Sequence, residues 1–194
     1  ELEFMQRALA AVVVVGAVCG VLGAFVVLRG LAFMGDALSH AIFPGVVVAY
    51  LLKGSLVVGG VLFALLTALG IGLLARSRRV AEDTAIGILF SSAMALGVAL
   101  ISLSSTYQVD LFGYLFGNIL AVSAGDLWLL GGIAAVVLGA VGLLFKELLF
   151  LAFDEEVARA NGLPVTPLYF VLLSCLALAV VAAIRVVGIV LVEA

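Results

Sequence analysis

The chain has 194 residues, 66% of them hydrophobic and 11% charged, with a mean hydropathy of +1.44. A soluble domain carries about 45–50% apolar and about 25% charged residues, so water is excluded as the solvent for most of this surface and a lipid bilayer is implied. The net charge is −3 and the nine Lys and Arg residues are scattered, which leaves no basic stripe for nucleic acid.

A helix that crosses a bilayer needs roughly 20 apolar residues, and stretches of that kind follow one another along the chain. Residues 4–28 form the first and end at Arg29. Residues 31–52 form the second, closed by Lys53, and residues 56–75 the third, closed by Arg76, Arg78 and Arg79. The fourth covers 84–103, with Glu82 and Asp83 as its cap. Residues 107–123 are aromatic and polar at both ends, and read as a short, partly inserted helix. The fifth span covers 127–145 and the sixth 165–184, with Thr166 as N-cap and Pro167 at the first helical position. A last apolar run, 186–194, would rise only about 14 Å as a helix, too little to span, so further C-terminal helices are expected beyond it. The expected fold is therefore an all-α, polytopic membrane bundle, read as a single transmembrane domain over 1–194. Cys19 and Cys175 lie far apart in apolar runs and suit core positions rather than a zinc or redox pair.

Orientation follows from the positive charges, which favour the cytoplasmic side. An outward N-terminus places Arg29, Arg76, Arg78, Arg79, Lys146 and Arg159 inside, six of the nine, and leaves Arg7, Lys53 and Arg185 outside.

The second span contains Gly35-Asp36-Ala37-Leu38-Ser39-His40-Ala41-Ile42-Phe43-Pro44-Gly45. A charged side chain at the centre of a membrane helix costs about 2.5–3.5 kcal/mol on insertion scales, so an aspartate here calls for a reason. His40 is the single histidine of the chain and stands four residues after Asp36, a spacing that puts both on one helix face. A carboxylate and an imidazole together suit manganese, iron or zinc. The alternative is a structural Asp–His hydrogen bond between helices. Pro44 has no N–H and clashes with the carbonyl of His40, so a kink there, loosened by Gly45, would free a backbone oxygen beside the imidazole. One helix supplies too few ligands for a closed site, so a second copy or other helices must supply the rest.

Residues 153–164 read Phe-Asp-Glu-Glu-Val-Ala-Arg-Ala-Asn-Gly-Leu-Pro. Asp154 is the expected N-cap, and Glu155 and Glu156 sit where the helix dipole favours acid. Asn161 and Gly162 suit a left-handed C-terminus before Pro164. The segment reads as a helix of about two turns on the inner face, with Ala158 and Ala160 small enough for close docking against another protein.

These residues resemble the metal-type ABC importer permeases, which carry manganese, zinc or ferrous iron into bacteria. The likeness rests on 29–41 (RGLAFMGDALSHA) with Pro44-Gly45, on 83–90 (DTAIGILF), on 114–123 (YLFGNILAVS), on the turn at 153–164 and on 187–194, and it covers nearly the whole chain. It implies a helix bundle in the bacterial plasma membrane, paired with a second permease copy and longer at its C-terminus than this chain. It also implies cytoplasmic ATPase subunits docked on a coupling segment (Asp154, Glu155, Glu156, Ala158, Arg159, Gly162) and an extracytoplasmic metal-binding protein that delivers the ion. Asp36 and His40 are then the metal contacts, for an ion in transit rather than a permanent cofactor. The chain has no phosphate loop of the type G-x-x-x-x-G-K-[ST], so ATP would be hydrolysed on the partner.

Weaker polar candidates for the ion path are Glu193 in the last run and Asp110, Asn118 and Asp126, which flank the outer segment and could guide cations in; the simpler reading of these three and of Gln108 is as solvated loop positions. The rival readings are a siderophore- or vitamin-type permease, a secondary cation transporter or channel, and an intramembrane enzyme. The first would want a wider, less acidic path and the second no coupling segment. The third would need a nucleophile–base set, for which one histidine without a partnered serine or cysteine is poor material.

Overall fold

The computed structural model describes residues 3–77, 80–102 and 123–187, and all regular structure among them is helical. The elements are α1 (Glu3–Arg29), α2 (Ala32–Leu51), α3 (Leu56–Arg76), α4 (Glu82–Ser102), α5 (Ala124–Leu143), α6 (Phe145–Phe153), α7 (Glu155–Ala160) and α8 (Val165–Val187). Six of these, α1 to α5 and α8, are long and apolar enough to cross a membrane. They match the expected spans to within a few residues. The expected short helix at 107–123 falls outside the described residues but for Ser123, as does the end of the chain after 187.

The bundle has an inside and an outside even though nearly every face is apolar. Of their most apolar stretches, 61% of α2 and 72% of α8 are buried, against 17% of α4. Helix α2 packs between α3 and α4, and α8 packs on α1, α3 and α5. Between membrane helices, where lipid is as apolar as leucine, close fit rather than hydrophobicity selects the buried face. Glycine supplies that fit here. A Cβ on Gly97 of α4 would run into the ring of Phe43 on α2, and one on Gly72 of α3 into the ring of Phe170 on α8.

Short connections hold consecutive helices together. Helix α1 ends in a Schellman motif: Gly30 has φ +70°, its N–H donates to the Val27 carbonyl and the Leu31 N–H donates to the Val26 carbonyl. Lys53, at φ +52°, makes the same turn between α2 and α3.

Two expectations change. By sequence the fifth span ends at 145 and residues 146–152 belong to no helix, but α5 stops at Leu143 and α6 begins afresh at Phe145 after Leu144 leaves helical geometry (φ −106°, ψ 19°). Helix α6 buries Leu148, Leu151 and Ala152 and exposes Phe145, Phe150 and Phe153. At nine residues it is too short to span and lays one apolar face on the bundle. Thr166 is not an N-cap: it lies inside the first turn of α8, and its hydroxyl accepts a hydrogen bond from Arg76 at 2.9 Å. Pro167 still sits in the first turn, where a missing N–H costs nothing.

Candidate functional site

Asp36 and His40 do share a face of α2. The Asp36 Oδ1 and His40 Nε2 atoms are 3.5 Å apart, and the side chains are 50% and 25% exposed. That exposure singles them out, because residues 41–47 of the same helix are all buried. With Phe33, itself exposed, they form the stripe of α2 that the described helices leave uncovered. The His40 ring meets the Phe90 ring of α4 edge to face at a centroid distance of 5.1 Å, which limits how the imidazole can turn. Ser39, fully buried beside it, donates its hydroxyl to the Gly35 carbonyl at 2.9 Å and so does not face the stripe.

Asp36 is the fifth residue of α2 and His40 the ninth, so they lie about 6 and 12 Å along the axis from its start. Asp36 is thus nearer to the Arg29 end than the mid-helix depth read from the sequence, whereas His40 lies close to the middle of α2. Helix α2 runs through Pro44 as one element. Gly45 has a packing role: a Cβ there would collide with the Gly59 carbonyl of α3 and with Phe63. Among the described residues no group of three or more His, Cys, Asp and Glu stands close enough to hold a metal ion. Asp110, Asn118 and Glu193 fall outside the described residues.

The short helix α7 is built as its sequence suggests. The Asp154 carboxylate caps it by accepting from the Val157 N–H at 2.9 Å. It closes on Gly162 at φ +79°, with Gly162 N–H donating to Arg159 O and Leu163 N–H to Ala158 O. Asn161 keeps a negative φ of −82° and instead donates its side-chain amide to the Val157 carbonyl. Ala158 is fully buried against the bundle of its own chain, so it is not part of a docking face. Asp154, Glu156, Val157, Arg159 and Ala160 are exposed, whereas Glu155 is turned toward the arginines of other helices.

Around Glu155 lies a charged cluster whose members the sequence scatters. Arg29 and Arg76, at the ends of α1 and α3, both approach the Glu155 carboxylate, at 3.2 and 3.5 Å, and Arg159 reaches it from within α7 at 2.9 Å. Both guanidiniums also lie over the ring of Tyr169, 5.4 Å for Arg29 and 4.9 Å for Arg76 from its centroid. The Tyr169 hydroxyl donates to the Glu82 carboxylate at the start of α4. Together with Ala75 and Thr166 these residues line a cavity of about 440 Å³. The arginine-rich end of each span was legible from charge alone; the tyrosine and the two glutamates that organise it were not.

At the opposite end, Asp126 is no loop residue. It makes a capping box with Ser123 at the start of α5 and pairs with Arg185 of α8 at 2.7 Å. Trp128, two residues further and 84% exposed, suits the headgroup level of a bilayer.

The ABC 3 transport family model matches residues 1–194. The chain is 49% identical over 192 residues to the manganese transport system membrane protein MntC of Halalkalibacterium halodurans, covering 99% of this chain and 66% of that one. It is 43% identical to the chelated iron transport system membrane protein YfeD of Yersinia pestis, covering 98% of this chain and 64% of that one. The chain thus spans about two thirds of the length of these relatives. Among solved structures, PsaBC from Streptococcus pneumoniae in complex with Fab superposes with a TM-score of 0.82 at 41% identity, covering all of this chain and 69% of that one. An inward-facing putative metal-chelate type ABC transporter shares the fold, with a TM-score of 0.69 at 20% identity over 95% of this chain and 62% of that one. A helical bundle with six membrane-length spans among the described residues and a family match along the whole chain place this protein in the bacterial plasma membrane, and the chain belongs to the ABC 3 transport family.

Proposed function

We propose that this chain is part of the membrane-spanning subunit of an ATP-driven importer that moves a divalent transition-metal ion, manganese foremost and ferrous iron or zinc by the same donor chemistry, into the cytoplasm. The observation that carries this is the uncovered Asp36–His40 pair on α2. A carboxylate in an apolar span is costly, up to about 2.5–3.5 kcal/mol at the centre of the span, unless it faces water or protein. Half-exposed in the isolated chain, Asp36 needs a hydrated path or a second subunit against this stripe. Two copies meeting there would double the donors to two carboxylates and two imidazoles, enough for a transient site where the described residues of one chain bring two groups together. The names of the MntC and YfeD relatives support manganese and iron as cargo.

The arginine end is then cytoplasmic, as the positive-inside rule requires. Helix α7, with Asp154, Glu156 and Arg159 outward, is the docking segment for separate ATPase subunits, and an extracytoplasmic binding protein delivers the ion at the Trp128 end. The test is metal uptake by cells carrying Asp36→Ala or His40→Ala in the full-length chain. Each should lower manganese uptake at least about tenfold, the scale seen when even a supporting group around a metal is lost. Wild-type uptake in both variants would remove the metal-contact assignment. For docking, scrambling residues 154–162 should abolish capture of the ATPase; retained capture would undo it.

A further inference from the structure

The charged cluster at the arginine end joins helices that are otherwise separate. Arg29 closes α1, Arg76 closes α3, Glu82 opens α4, Glu155 opens α7 and Tyr169 lies in the second turn of α8. The two central arginines are mostly buried, with 13% and 20% of their side chains exposed.

Each arginine bridges α7 to something else. Arg29 donates through one terminal nitrogen to the Leu151 carbonyl of α6 and through the other to Glu155, both at 3.2 Å. Arg76 donates to the Thr166 hydroxyl at 2.9 Å and to the Val165 carbonyl at 3.3 Å, and faces Glu155. The Nε of each is buried with no protein partner, so both guanidiniums are held through their outer nitrogens and the Tyr169 ring. Arg159 contributes nothing to this bridging, because it reaches Glu155 only within α7.

Helix α7 has six residues. A helix that short is not stable alone, and its position is set by what it is tied to. Besides its covalent links through Asp154 and residues 161–164, what ties it to the bundle is the buried methyl of Ala158 and the carboxylate of Glu155. A methyl in an apolar socket resists pushing but not sliding. An ion pair to two helix ends transmits force in any direction along which the charges would separate. From Arg29 the path to the ion is short: Gly30 and Leu31, locked by the Schellman hydrogen bonds, lead into α2, whose fifth residue is Asp36.

We propose that Glu155 is a positioning residue that clamps α7 to Arg29 of α1 and Arg76 of α3, so that movement of α7 is delivered to the helix that carries Asp36 and His40. This rests on the reading of α7 as the ATPase-docking segment. Tyr169 keeps both arginines aimed at Glu155 from below and ties them to α4 through Glu82. A clamp of this kind governs how much transport each ATP yields, not whether the partner binds.

The experiment uses the full-length chain assembled with its ATPase subunits in liposomes, with Mn²⁺ as the probe. Three quantities are measured: ATPase captured per chain, ATP hydrolysed, and Mn²⁺ moved per ATP. Glu155→Gln, which keeps the shape but removes the charge, should retain capture yet lower Mn²⁺ moved per ATP at least about fivefold, the low end of coupling between distant sites. Arg29→Gln should do the same, being the other half of the clamp. A purely structural role would reduce capture, hydrolysis and transport together and leave the ratio unchanged. An unchanged ratio in both variants, or loss of capture in both, overturns the clamp. The docking reading fails separately, if scrambling 154–162 leaves capture intact.

Discussion

Gly45 of α2 and Gly59 of α3 face each other backbone to backbone: a Cβ added to either would collide with the carbonyl of the other. Two helices can come this close only where neither has a side chain, and dispersion over the shared surface is then what holds them. The pair therefore sets the position of α2, and with it the open stripe of Asp36 and His40.

Gly45→Ala and Gly59→Ala should each lower the thermal midpoint of the detergent-purified chain, by the equivalent of about 1–3 kcal/mol for an overpacked interface. Gly16→Ala, where no atom lies within 4 Å of the added carbon, should leave it near the parent value. Equal midpoints for all three variants would mean that α2 and α3 do not depend on this approach.

At the far end, Asp126 does two jobs, capping α5 and pairing with Arg185. Asp126→Ala removes the reciprocal half of the capping box, the bonds Asp126 accepts from Ser123 N–H and Oγ, at about 1.5–3 kcal/mol for a bond to a charged group, and costs more because Arg185 then loses an anionic partner. Exchanging the two residues (Asp126→Arg with Arg185→Asp) restores the ion pair but not the carboxylate half of the capping box. Its melting midpoint should lie between those of Asp126→Ala and the parent. Full recovery in the exchange would assign the whole effect to charge and none to the capping box.

Tyr169 offers a separation of ring from hydroxyl. Tyr169→Phe keeps the face over which Arg29 and Arg76 lie and removes only the hydrogen bond to Glu82. A bond to a charged acceptor contributes about 1.5–3 kcal/mol. Tyr169→Leu removes the ring as well, adding a loss of about 0.5–2 kcal/mol for the cation–π contacts. The order of denaturation midpoints should be parent, Phe, Leu; identical midpoints for Phe and Leu would leave the ring without an electrostatic role.

Gly30, at φ +70°, links α1 to α2. Gly30→Ala places a Cβ in the left-handed region at a cost of about 1–2 kcal/mol, although no neighbouring atom would touch it. The melting midpoint should fall, and replacement by Asn, which tolerates this conformation better, should fall less. An Ala variant as stable as the parent would show that the link can relax.

Much of the architecture could be read along the chain because it depends on length and local chemistry. Runs of about 20 apolar residues marked the spans, Asp154 and Gly162 marked the ends of α7, and the four-residue spacing put Asp36 beside His40. Each of these relations lies within a single element of the chain. Helix α6 is not marked along the chain as a separate element: Gly142, Lys146 and Glu147 punctuate the junction, but nine residues are too few to read as a span.

Which side of each helix is buried was another matter. In water, an apolar stripe on a polar helix announces its partner; in lipid the outer face is apolar too, so the pattern that would name the inner face is erased. Hence Gly45 looked like a flexible joint when it is a point of contact, and Ala158 looked like a docking surface when it is core. The ion pairs were equally hidden, because Arg29 and Glu155 are 126 residues apart and Tyr169 and Glu82 are 87 apart. Charge bias assigned the arginines to one membrane face, but only the packing of α1, α3, α4 and α8 around one tyrosine ring brought them to a single carboxylate.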